Sequence, residues 1–179
     1  MPNWFIHEFD PDVVEKIKDR TVSKNLKFNY NNYKNNAQTR WVGTMGELAF
    51  EEFLQSQHLK YKYWALPDRK DDRDFTVGPY ECDVKTVGCK TMPQQVYEAQ
   101  VVEDQFDRAM RSNYINAFVF CRFVIPLNLG IVLGWLPKTE FKEKAKFREA
   151  GSKAFTSTGR LSTSQWEVPI GYLREFKIK

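Results

Sequence analysis

Two apolar runs, Ile115 to Ile125 and Gly130 to Leu136, constrain this chain more than anything else in it. Each has the length of a strand and neither alternates cleanly with polar residues, so other elements must cover both faces of each, as at the centre of a layered sheet. They do not add up to a membrane span. Phe118 to Pro137 is broken by Arg122, Pro126, Asn128 and Gly130, whereas a span needs about 20 predominantly apolar residues. The cover has to come from amphipathic helices, and Trp41 to Leu59 is the clearest one. There Val42, Met45, Leu48, Ala49, Phe50, Phe53 and Leu54 form a broad apolar arc at helical spacing.

Between that helix and the apolar runs, the period changes from helical to two. His58 to Trp64 alternates as a first strand, and the charged run Pro67 to Arg73 reads as an exposed connection. Asp74 to Val77 and Tyr80 to Val87 read as paired strands turning at Gly78-Pro79. Val96 to Met110 reads as a helix on Val101, Val102, Phe106, Ala109 and Met110, and Lys138 to Ala150 as a charged helix. Pro11 to Arg20 suggests a short helix, followed by an irregular Asn- and Lys-rich stretch over Lys24 to Asn36, while the tail from Trp166 onward takes no clear assignment. The order is helix, three strands, helix, strand, strand, helix. It predicts an α/β (α+β) protein with a central mixed sheet flanked by helices. Residues 1–40 are expected as a basic extension, 41–137 as the core, and 138–179 as a helix, loop and tail packed on that core, all in one domain.

Three cysteines, Cys82, Cys89 and Cys121, include no Cys-x-x-Cys pair, and His7 and His58 are the only histidines. Neither a zinc site nor a disulfide framework is expected from that set. The first residues have no basic segment followed by an apolar one, so no signal peptide is expected. These features predict a soluble, intracellular, cytoplasmic protein.

The net charge of +4 conceals a pattern. Residues 1–14 carry −3, residues 15–40 carry +5, residues 41–110 carry −5 and residues 111–179 carry +7. The acidic centre contains the most informative unit, Asp74 followed by Asp83-Val84-Lys85, with Glu47 on the preceding helix. Strand alternation puts Glu81, Asp83 and Lys85 on one face and Tyr80, Cys82, Val84 and Thr86 on the other. Two carboxylates on adjacent strands offer hard oxygen donors of the kind that hold Mg²⁺ or Mn²⁺. An ammonium two residues along the second strand can steady negative charge on a phosphoryl group. Glu47 lies at the edge of the helix's apolar arc, where a carboxylate can reach a helix–sheet junction or simply face water. Asp71 and Asp72 rival Asp74, which is preferred because Phe75-Thr76-Val77 directly after it reads as strand. Glu81 could add a ligand but reads as structural or solvated, and Trp135, in an apolar strand, as packing.

This constellation resembles the PD-(D/E)xK nucleases with their restriction-endonuclease-like core. The family's αβββαβ order is similar to that of Trp41 to Leu136, roughly half of the chain, and its motif acids and lysine fall on Asp74, Asp83 and Lys85, with the first-helix glutamate at Glu47. The pattern departs at two points: Arg73 stands where a proline is usual, and Asp83 where glutamate is commoner. A carboxylate remains at each position. The resemblance implies a Mg²⁺-dependent nuclease, with Mn²⁺ as a substitute, in which Asp74 and Asp83 bind the ion, Glu47 assists and Lys85 positions the nucleophile. Its implied partner is DNA, approached through Lys34, Arg40, Lys90, Gln94, Gln95, Lys153 and Arg160, with Lys24, Lys27, Lys142 and Lys146 as further cations of the basic flanks. The alternative is a non-catalytic nucleic-acid-binding or assembly protein that keeps the fold. A homo-oligomer is compatible with these residues but not implied by them.

Overall fold

The structure, a computed structural model, describes residues 3–25, 36–64, 73–153 and 160–176. Among them the two apolar runs become β6 (Ala117–Val124) and β7 (Leu129–Pro137), paired antiparallel at the centre of a six-stranded sheet. Every residue of β6 is buried, as its lack of alternation requires. The charged connection's neighbours form β2 (Tyr61–Tyr63), β3 (Phe75–Val77) and β4 (Tyr80–Cys89), an antiparallel meander. Its turn is made at Gly78, whose φ of 57° suits a residue without a Cβ. β4 then pairs in parallel with β6, and with β1 (Phe5–Glu8) on the far edge the order is β1-β7-β6-β4-β3-β2.

One face of this sheet is covered by α2 (Asn36–Ser56), through Trp41, Val42, Met45, Ala49, Phe50, Phe53 and Leu54. These meet Phe75, Val77, Cys82, Val84, Val119, Cys121 and Phe123. α1 (Pro11–Asn25) adds Val14 and Ile17 to the same cluster. The opposite face packs Phe118, Phe120, Val124, Ile131 and Leu133 under α3 (Glu103–Arg111) and α4 (Lys138–Lys144), through Phe106, Ala109 and Phe141. The mixed sheet between helices agrees with the expected α/β class.

Several boundaries differ from the sequence-based expectation, each for a non-local reason. The expected helix from Val96 splits into β5 (Glu98–Val102) and α3, because β5 pairs with β9 (Gln165–Pro169) in a second, three-stranded sheet. The expected charged helix stops at Lys144, and β8 (Lys146–Arg148) completes that sheet against β9. The N-terminal segment joins the main sheet. Its β1 (Phe5–Glu8) is hydrogen-bonded to β7 at the sheet edge, and α2 begins at Asn36, inside the range assigned to the extension. The predicted irregular stretch at 24–36 is helical at both ends and lies outside the described residues between them.

None of the helices formed by the described residues is long and apolar enough to cross a membrane. The three thiols are free, as expected. Burial pushes the Cys82 thiol up to about 12, with Glu81 and Asp83 adding to the effect, and burial also raises Cys121 and the half-buried Cys89. The folded state therefore favours the protonated thiols. Their contribution to stability is complete below the ordinary thiol pKa of 9.0 and is lost as pH rises toward about 12 for Cys82. Titrating the native protein with a thiol reagent at pH 8 should modify Cys82 and Cys121 far more slowly than the denatured chain. Equal rates in the two states would contradict the burial.

Candidate active site

β4 carries the centre of the site because its alternation is unbroken. Cys82 and Val84 face α2, and so does Thr86, which abuts Gly46 of that helix. Glu81, Asp83 and Lys85 therefore face the other way, on the side of Phe118 and Phe120, their parallel neighbours Asp83↔Phe118 and Lys85↔Phe120. Asp74 comes one step before β3, just past the Phe75↔Cys82 pair, and falls on the face of Asp83. Its backbone N–H donates to Cys82 O at 2.8 Å, and its Oδ2 accepts the Val84 N–H at 2.6 Å. The carboxylate thus takes up a strand N–H near the end of the short β3 ladder, and that hydrogen bond fixes its orientation.

Asp74 and Asp83 are 3% and 5% exposed, unusual for carboxylates. Lys85 Nζ lies 2.7 Å from Asp83 Oδ2, with the lysine side chain 14% exposed. A buried carboxylate pair is costly unless cations offset it, and Lys85 provides one such charge. Beside the pair, Thr76 donates to Glu81 Oε2 at 2.7 Å and Arg73 Nη1 lies 2.9 Å from the same oxygen. Asn116 completes that support: its Oδ1 accepts the Glu81 N–H at 2.8 Å and its Nδ2 donates to Pro79 O at 3.0 Å. Glu81 is accordingly a structural acid, as the sequence suggested.

Glu47 is placed differently from the expectation. Its Oε2 accepts the Tyr63 hydroxyl at 2.7 Å, and the Tyr63 ring stacks on Phe75 at 4.8 Å in the core under α2. It is also close enough to Cys121, another residue of that core, to help raise its thiol pKa. Glu47 thus sits on the α2 side of the sheet, whereas Asp83 and Lys85 face away from α2. Among the described residues no three His, Cys, Asp or Glu side chains form a group able to hold a metal ion. The helical wheel allowed Glu47 either to reach the helix–sheet junction or to face water. It carries no information on which sheet face the helix would cover.

The expected nucleic-acid contacts are scattered. Lys90 is exposed five residues beyond Lys85, which at a strand rise of about 3.3 Å places it roughly 16 Å away. Gln94 and Gln95 are exposed in the connection to β5, where Gln94 O accepts the Tyr97 N–H. Arg40 is an exposed residue of α2. Lys153 and Arg160 pair with each other in a short bridge, and Arg160 Nη1 donates to Gly151 O at 2.7 Å. Lys144 pairs with Glu140 at 2.6 Å and i,i+4 spacing, as expected for a solvated helix face. Trp135 packs against Tyr80 and Phe176, in the role read from the sequence. Lys27, Lys34, Asp71 and Asp72 lie outside the described residues.

Sequence reasoning missed the residue just past β2 that borders the acidic pair. Trp64 N donates to Asp74 O at 2.9 Å, and its indole Nε1 donates to Thr76 Oγ1 at 2.9 Å, so its ring lies on the face of Asp74 and Glu81. Alternation from Lys62 to Trp64 was the available signal. Comparison with protein-family models, with curated proteins and with solved structures found no match to the chain.

Proposed function

We propose that the chain is a Mg²⁺-dependent nuclease that hydrolyses DNA phosphodiester bonds, as the PD-(D/E)xK resemblance implies. The observation that supports it most is the placing of two buried carboxylates, Asp74 and Asp83, on one sheet face with Lys85 against the second. The donor set fits the ion: Mg²⁺ is held by one or two carboxylates and completes its shell with water and substrate phosphate oxygens. Asp74 and Asp83 would hold it. When bound, the ion polarises a phosphoryl oxygen and acidifies a coordinated water.

The protein's own groups divide the remaining work. Asp74, oriented by the Val84 N–H, presents its carboxylate without needing to reorganise. Lys85 is anchored at Asp83, and an ammonium has three donors, so it can hold a phosphoryl oxygen or the attacking water while keeping that anchor. Phe118 and Phe120 beside them lower the local polarity and strengthen these charge interactions. Glu47 is left out of this set because of its place on the α2 side.

The test is nicking of supercoiled plasmid and degradation of linear DNA with Mg²⁺, with Mn²⁺ and with EDTA. Cleavage that requires the divalent ion is expected. DNA binding without cleavage under either metal would instead assign the fold to nucleic-acid binding alone.

A further inference from the structure

We propose that the outer part of the acidic pair's sheet face, formed by Lys62, Trp64, Arg73 and Tyr114, is a ledge that binds an unpaired nucleotide of a single strand; this rests on the nuclease reading. The placement follows from register. Lys62 pairs with Thr76, which pairs with Glu81, so Lys62 shares its face with Glu81 and hence with Asp83. Trp64 adjoins Asp74 directly through its backbone hydrogen bond. With strands about 4.8 Å apart, the ledge begins one strand from Asp74 and two from Asp83. That is about 10 Å, close enough for one strand to reach from the ledge to the acidic pair.

The chemistry of these side chains suits a nucleotide. Lys62 Nζ lies 3.3 Å from the Trp64 ring centroid, and Arg73 Cζ lies 4.1 Å from that ring and 5.3 Å from the Tyr114 ring. Arg73 is held by its ion pair with Glu81, and Trp64 by its hydrogen bond to Thr76, so these two side chains are oriented before any ligand arrives. Tyr114 is 55% exposed, a large ring left in water beside a fixed guanidinium. A nucleobase stacks on such a ring, and the neighbouring cations suit the phosphate that follows it. Only an unpaired base offers its face, because duplex bases are stacked on each other. The ledge therefore favours a single strand or a frayed end over an intact duplex.

Binding is to be measured in EDTA, so that no cleavage intervenes, by fluorescence anisotropy of labelled oligo-dT and of a labelled blunt duplex annealed from two complementary GC-rich strands. Wild type should bind oligo-dT more tightly than the duplex. Tyr114→Ala should weaken oligo-dT binding by about tenfold, the loss of one base stack, and duplex binding by less than about twofold. Tyr114→Phe should retain the wild-type preference, since stacking does not need the hydroxyl. An unchanged oligo-dT affinity in Tyr114→Ala, an equal loss for both probes, or no preference in wild type would overturn the ledge. Absence of metal-dependent cleavage with the Tyr114 pattern intact would sink the nuclease reading and leave the ledge standing. Cleavage with no dependence of binding on Tyr114 would do the reverse.

Discussion

Lys85→Ala is expected to lower Mg²⁺-dependent cleavage by roughly 10²- to 10³-fold, the scale of removing one preorganised donor to a developing negative charge. The lysine is well placed for this because Asp83 fixes its ammonium at 2.7 Å and burial limits competition from water. Lys85→Arg should not restore the activity, because a planar guanidinium cannot take over the position of a compact ammonium. Asp83→Asn should be at least as damaging, since it removes half of the carboxylate pair. Truncating one partner of a buried pair costs about 3–5 kcal/mol, so each variant's unfolding transition must accompany its rate. A variant that is folded and cleaves at the wild-type rate would remove the trio from the mechanism. Glu47→Gln provides the internal contrast: with its carboxylate on Tyr63 under α2, it should cost stability but leave cleavage within a few-fold of wild type. Loss of cleavage in folded Glu47→Gln would return that glutamate to the site.

Gly46→Ala should destabilise the protein by about 2 kcal/mol, although alanine is the better helix former by about 1 kcal/mol. Gly46 is where α2 meets β4. A Cβ there would overlap Thr86 Oγ1 and lie 2.6 and 2.7 Å from Thr86 Cγ2 and Cβ. Those atoms belong to a short β-branched side chain, so relief requires α2 to lift from the sheet. Gly43 lies one turn earlier and has nothing within 4 Å of its would-be Cβ. Gly43→Ala should therefore stabilise by up to about 1 kcal/mol. Denaturant unfolding of the two variants isolates the contact from the propensity; a stabilised Gly46→Ala would show that helix and sheet are not in close contact there. Because Thr86 directly follows Lys85, a shift of α2 is also transmitted to the site, and Gly46→Ala should cleave less well than its stability alone would imply.

Patterns with a short range were legible in the sequence. The uninterrupted apolar runs became β6 and β7 within two residues at each end, and the Gly78-Pro79 turn became the β3–β4 connection. The helix at Trp41 to Leu59 was found as α2, displaced toward the N-terminus to Asn36–Ser56. The elements that went unread depend on distant partners. β1 is four residues long and is a strand because β7 accepts it at the sheet edge. β5 has a sequence that also suits a helix, and it is extended because β9, more than 60 residues later, pairs with it.

The same division runs through the candidate site. Alternation along β4 put Asp83 and Lys85 on one face from the sequence alone, since a strand's period of two is local chemistry. The spacing to Asp74 and the intervening turn brought the second carboxylate to that face. Only the tertiary structure decided which face α2 covers. That choice sent Glu47 to the Tyr63 side and left the side of Asp74 and Asp83 to Trp64, Arg73 and Tyr114, because helix docking is set by the close contact of Gly46 with Thr86 and by the apolar cluster around it.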